Sequence, residues 1–184
     1  ADVNVMIEAM TEGGMKRRGI LFAPQDALEE DPVVLRYLRK NLERIEILRE
    51  NKAYQVGDLS FSTAKRHHHG VETYGVNFKV KDRLVSMITD TRFFSELPDL
   101  YPGEILILHV VRLKPIGDDP IDHLSVDDAK VIIRKVRPKL AVLTHFGMTM
   151  IRAKPWKVAA EMENELGIKV IAASDGLKID LEEV

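Results

Sequence analysis

Leu84-Val85-Ser86-Met87-Ile88-Thr89-Asp90 is an apolar strand that runs straight into an aspartate, and the chain reads differently on its two sides. Before it, short strands are expected over Ala53 to Val56, Leu59 to Ala64 and Tyr74 to Val80, with Gly57-Asp58 and Lys81-Asp82 as hairpin turns. This is an antiparallel meander. After it come Ile105-Leu106-Ile107-Leu108 and Leu140-Ala141-Val142-Leu143-Thr144, near-continuous apolar runs of the kind buried on both faces of a parallel sheet. A helix separates them, with Ser125 as N-cap and Val126, Ala129, Ile132, Ile133 and Val136 on one face.

The flanks add helices. Val3, Met6, Ile7 and Met10 recur at helical spacing, then Gly19 to Pro24 reads as a short strand. Asp31 and Pro32 are read as N-cap and first residue of a helix carrying Val34, Leu35, Leu38 and Leu42, followed by a strand over Arg44 to Leu48. Pro155 opens the last helix, Gly167 stops it, and strands are expected over Lys169 to Ala172 and Leu177 to Leu181. Helices outside and strands within predict an α/β protein with two packed sheets, as one domain over residues 1–184.

Composition narrows the functional classes. The 184 residues are 45% hydrophobic and 30% charged, enough for a sizeable core. With 27 basic and 29 acidic residues the formal charge is -2, so an anionic substrate must be met by local basic groups. The absence of cysteine excludes disulfides and thiol catalysis and, with no apolar run of membrane-spanning length and no signal-peptide pattern, leads to a cytoplasmic expectation.

Six histidines, at 67, 68, 69, 109, 123 and 145, each lie near an expected strand end or just before a helix. A strand end fixes the direction of its last side chain while the next loop stays open to substrate. Asp90 and His145 both directly follow apolar strands. Either alone could cap a turn or satisfy a buried hydrogen bond; together they resemble two metal ligands, with His69 as a third. Alternation along an extended His67-His68-His69 segment would send His68 away from the other two, so at most two of the three share a site. Imidazoles with a carboxylate suit zinc first, and manganese or iron as well.

These pieces, taken in order, resemble the metallo-β-lactamase-fold hydrolases, and more closely their phosphodiesterase and tRNA 3′-end-processing ribonuclease branch. The matching motifs are His69 in His69-Gly70-Val71-Glu72-Thr73-Tyr74-Gly75, Asp90 in Thr89-Asp90-Thr91, and His145 in Leu143-Thr144-His145-Phe146-Gly147. The resemblance implies a four-layer αββα sandwich and two divalent metal ions, with His69, Asp90 and His145 as ligands and Asp90 bridging. It implies a catalytic role for His123, in His123-Leu124-Ser125, at the leaving group, and sets His109 beside the site where the branch carries a His-Glu-Ala-Thr segment. The family's His-x-His-x-Asp-His cluster is absent. The resemblance therefore implies an N-terminally incomplete domain lacking its first strands, with the cluster expected just before Ala1.

The activity so implied is two-metal hydrolysis of a phosphodiester, nuclease-like or on a small cyclic or nucleotide substrate. Arg17 within Lys16-Arg17-Arg18, and Arg152 with Lys154, are the candidate substrate-binding groups. The long arm of the tRNA-processing enzymes is not evident. Acyl or thioester hydrolysis on the same core, and a non-catalytic module that lost its metals, are the competing readings. No membrane partner is expected, and homo-oligomerisation stays open.

Overall fold

A computed structural model describes residues 2–115, 122–182 and 184. Seven strands form one path through a large mixed sheet: β3 (Ala53–Val56), β4 (Leu59–Thr63), β5 (Val76–Val80), β6 (Arg83–Ile88), β7 (Ile105–Arg112), β9 (Leu140–Thr144) and β10 (Lys169–Ala172). The order is β10-β9-β7-β6-β5-β4-β3, and the two-residue β8 (Leu124–Ser125) pairs with β7. The meander from β3 to β6 is antiparallel, whereas β6, β7, β9 and β10 run parallel. The sheet changes character at β6, the strand that ends near Asp90. A second sheet pairs β1 (Ile20–Ala23) with β2 (Arg44–Ile47), also in parallel.

Alternation along β7 accounts for two layers. Leu106, Leu108 and Val110 meet Ala129, Ile132 and Ile133 of α3 (Val126–Val136) and Val158, Ala159 and Met162 of α5 (Pro155–Leu166). Ile105 and Ile107 face the other way, with Val85, Leu140 and Val142. Cross-strand pairing carries that second face through Phe78 to Phe61. There Phe22 of β1 packs edge-on against Tyr54 and Phe61 at centroid distances of 5.5 and 5.1 Å. Such aromatic pairs contribute about 0.5–1.5 kcal/mol each beyond their buried area. Behind the small sheet, Leu21 and Ile45 pack on Ile7 of α1 (Asp2–Met10) and Leu38 of α2 (Arg36–Arg39). The layers are thus helix, sheet, sheet, helix, as the sequence led one to expect.

Two expectations are corrected, and one element is added. The helix anticipated from Asp31 and Pro32 spans only Arg36–Arg39. The Asn4 amide donates to the Val33 carbonyl and its oxygen accepts from the Leu35 N–H, holding the residues before the helix in a non-helical path. Leu177 to Leu181 makes no strand; Ile179 and Leu181 instead pack on the cluster around Val85 and Ile105, so the alternation there serves packing without a ladder. A short helix, α4 (Met148–Ala153), follows His145 and was not foreseen.

Candidate metal centre

Register brings the site together. Ile88 of β6 pairs with Leu108 of β7, Leu108 pairs with Leu143 of β9, and His109 pairs with Thr144. The three parallel strands therefore end side by side, and the residues just past that line are Asp90, His109 and His145. Strand β8 pairs Leu124 with Val110, which sets His123 beside them. Sites in open α/β sheets gather outside the carboxyl ends of parallel strands for this reason. The Ser125 side chain accepts from the Asp128 N–H at 3.3 Å while Asp128 accepts from the Ser125 N–H at 2.9 Å, so a capping box holds the start of α3 next to His123.

Three imidazoles converge on one oxygen. His109 Nδ1 lies 3.1 Å from Asp90 Oδ1, His145 Nε2 lies 3.3 Å from it and His123 Nδ1 lies 3.7 Å from it. His69 comes from the β4–β5 connection, its ring 5.4 Å from that of His123. Two groups of three ligand atoms, each within 4.8 Å of one another, result: His69, Asp90 and His123, and Asp90, His109 and His145. Asp90 is common to both. His69 falls in one group with His123, and His145 in the other with His109.

The electrostatics favour a charged Asp90 and a neutral His123. Burial works to raise the Asp90 pKa, but the His109 hydrogen bond and the charges of His109, His145 and His123 outweigh it and hold the carboxyl below its usual range. Burial, against the opposing charge of Asp90, lowers the His123 imidazole. His123 Nδ1 is buried and has no hydrogen-bond partner among the described residues. An orphaned imidazole nitrogen aimed at a carboxylate, among further imidazoles, fits a divalent metal by donor chemistry.

His145 has a left-handed backbone, φ 59°. Residues other than glycine hold that conformation at a cost, and such outliers cluster at functional sites. Gly147 follows because a Cβ there would lie 2.7 Å from the Val111 carbonyl.

The triple histidine divides among three surroundings. Only His69 joins the cluster. His68 is exposed and stacks on Phe94 with centroids 4.4 Å apart, and His67 is 2% exposed beneath the site. The segment has no strand pairing to impose a period of two; instead the His68 N–H bonds to Thr91 Oγ1 and the Arg92 N–H to the His68 carbonyl. His67 and its partner Tyr101 were missed by sequence reasoning, because a buried polar pair 34 residues apart leaves no local pattern.

The sequence-based substrate groups have these places. Arg17 donates to the carbonyls of Leu42 and Glu43, so it braces the turn before β2. Arg152 sits in α4 and Lys154 joins α4 to α5 with φ 64°. None of the three lines the cleft of about 530 Å³ that opens beside His69, whose walls include Lys65, Arg66, His68, Arg92, Glu50 and Asp122.

No family model matches the chain. An uncharacterized protein of Methanocaldococcus jannaschii is 29% identical over 189 aligned residues, which cover 98% of this chain and 69% of that protein. Among solved structures, the metallo-beta-lactamase fold protein YhfI of Bacillus subtilis superposes with a TM-score of 0.72 at 12% identity, over 94% of this chain and 70% of its own. A diphosphatase of the PhnP family gives 0.70 at 21%, over 98% and 64%. Zinc-bound PqqB of Methylobacterium extorquens gives 0.69 at 16%, over 95% and 66%. The fold is that of the metallo-β-lactamases.

Proposed function

We propose that this metallo-β-lactamase-fold chain carries much of a dinuclear metal centre that hydrolyses phosphodiesters. The convergence of His109, His123 and His145 on Asp90 Oδ1, with His69 beside His123, is the observation that carries the reading. Divalent ions bound there would supply Lewis acidity and bring the pKa of water to about 7. Zinc fits the imidazole and carboxylate donors, and the zinc-bound neighbour supports it; manganese suits the same set.

His69, Asp90 and His145 are the ligands of this proposal. His109 donates to Asp90 and orients its carboxylate, as partners of ligating groups do. His123 transfers the proton to the leaving oxygen: an anionic phosphoryl group beside it offsets the burial that lowers its pKa. Lys65, Arg66 and Arg92 outnumber Glu50 and Asp122 along the cleft, which supports an anionic substrate over a neutral acyl one, and the diphosphatase neighbour points the same way. Among the described residues no helix is long and apolar enough to cross a membrane.

Turnover of bis(p-nitrophenyl) phosphate and of an acyl thioester, each with added zinc or manganese, is the test. Metal-dependent cleavage of the phosphodiester is expected. Cleavage of the thioester alone replaces the substrate class, and inertness toward both with metal bound sinks the catalytic reading.

A further inference from the structure

Beneath the metal centre His67 and Tyr101 form a buried pair, 2% and 0% exposed. His67 Nε2 lies 2.7 Å from Tyr101 Oη. On the other side of the ring, Nδ1 faces the Asp90 carbonyl at 3.3 Å and Thr89 Oγ1 at 3.2 Å. A carbonyl only accepts, so Nδ1 carries the proton and Nε2 accepts from the tyrosine hydroxyl. Thr89 agrees with this direction: its hydroxyl donates to the Tyr74 carbonyl at 2.9 Å, leaving its oxygen free to accept. Every polar atom of the buried ring is thereby matched, with one tautomer.

The His67 ring joins two segments that share no strand pairing at this point, and Tyr101 braces it from a third. His67 lies two residues before His69 on the β4–β5 connection, while Thr89 and Asp90 directly follow β6. Tyr101 reaches the pair because residue 75 is glycine: a Cβ there would stand 2.6 Å from Tyr101 Oη and 2.5 Å from the Met87 carbonyl. We propose that His67 and Tyr101 are positioning residues, a buried clamp that sets the separation of His69 from Asp90 and so the geometry offered to a divalent ion. Neither touches the ion or the substrate. The inference rests on the metal reading above for its consequence, and on hydrogen bonding alone for the clamp.

The test compares wild type with Tyr101→Phe, which keeps the ring and removes the hydroxyl, and with Met162→Ala, a core change in α5 chosen to destabilise at a distance. Affinity for manganese is measured by competition with a chelating dye, and the His67 tautomer by nitrogen-15 NMR of labelled imidazoles. Expected are an Nδ1–H tautomer in the wild type and a metal affinity about ten- to a hundredfold lower in Tyr101→Phe, the usual size for partners that orient ligands. Met162→Ala should keep its affinity despite a lower Tm. A wild-type ring protonated on Nε2, or a Tyr101→Phe affinity equal to wild type, overturns the clamp. A wild type that binds no divalent ion overturns the metal reading instead, while the tautomer still decides whether the buried bond pattern is right.

Discussion

His123 Nδ1 lies 3.7 Å from Asp90 Oδ1, buried and without a hydrogen-bond partner among the described residues, although a neighbouring imidazole, His109, bonds the same oxygen at 3.1 Å. A nitrogen so placed can either hold a metal or move a proton, and the two roles separate by experiment. With His123→Ala, retained metal content and a rate loss of about a hundredfold or more, growing with the pKa of the leaving alcohol, is expected for proton transfer. Loss of metal would make His123 a ligand. Metal content by elemental analysis and rates across a series of aryl phosphodiesters check this.

Asp90 is shared by both ligand groups, so it is the residue whose loss costs most. In wild type, an ion at a hundred times its dissociation constant should stabilise the fold by about 2.7 kcal/mol. Asp90→Asn should lose most of that gain, since a neutral amide replaces the one carboxylate. Thermal unfolding with and without zinc measures it, and an undiminished metal-induced Tm rise would refute the bridging role.

The left-handed backbone of His145 predicts a trade between stability and function. Its side chain is 51% exposed, so little packing is lost on removal. In the metal-free protein His145→Gly should be more stable by about 1 kcal/mol, because glycine adopts φ 59° without a Cβ penalty. Activity should fall by orders of magnitude. Chemical denaturation with chelator present reads the first effect.

His67 predicts a pH dependence of the apo fold. Burial lowers its pKa from 6.5 to about 4, against the opposing Asp90 carbonyl. The unfolded chain then binds more protons between those values, so stability is complete above about pH 6.5 and falls as pH drops toward 4. The loss is on the order of 3 kcal/mol. His67→Gln should flatten this part of the profile, seen as a smaller change of Tm between pH 7 and pH 5.

The arginines of the cleft predict a binding effect. Arg66→Ala and Arg92→Ala should raise KM for an anionic phosphodiester several-fold and leave kcat little changed, because their side chains stand along the cleft rather than in the ligand cluster. The effect should shrink at high salt. An equal fall of kcat with unchanged KM would count against a substrate contact.

Much of the layered fold was legible locally. Period-two alternation and hairpin turns marked β3 to β6, and continuous apolar runs marked β7 and β9 with their two buried faces. The Ser125 cap and the Gly167 stop placed α3 and α5. Asp90 and His145 could be singled out because each follows an apolar strand. Helix α2 failed because its boundary is set by Asn4, some thirty residues away.

Identity and strand position are properties of short windows, so the residue types of the site and the strands that carry them could be read from the chain alone. Which histidine meets which carboxylate depends on register between strands tens of residues apart, and on unpaired connections with no period of their own. That is why folding was needed to part His67, His68 and His69 into a buried clamp, an exposed stack and a candidate ligand. For the same reason His109 and His123 met Asp90 only once β6, β7, β8 and β9 were aligned.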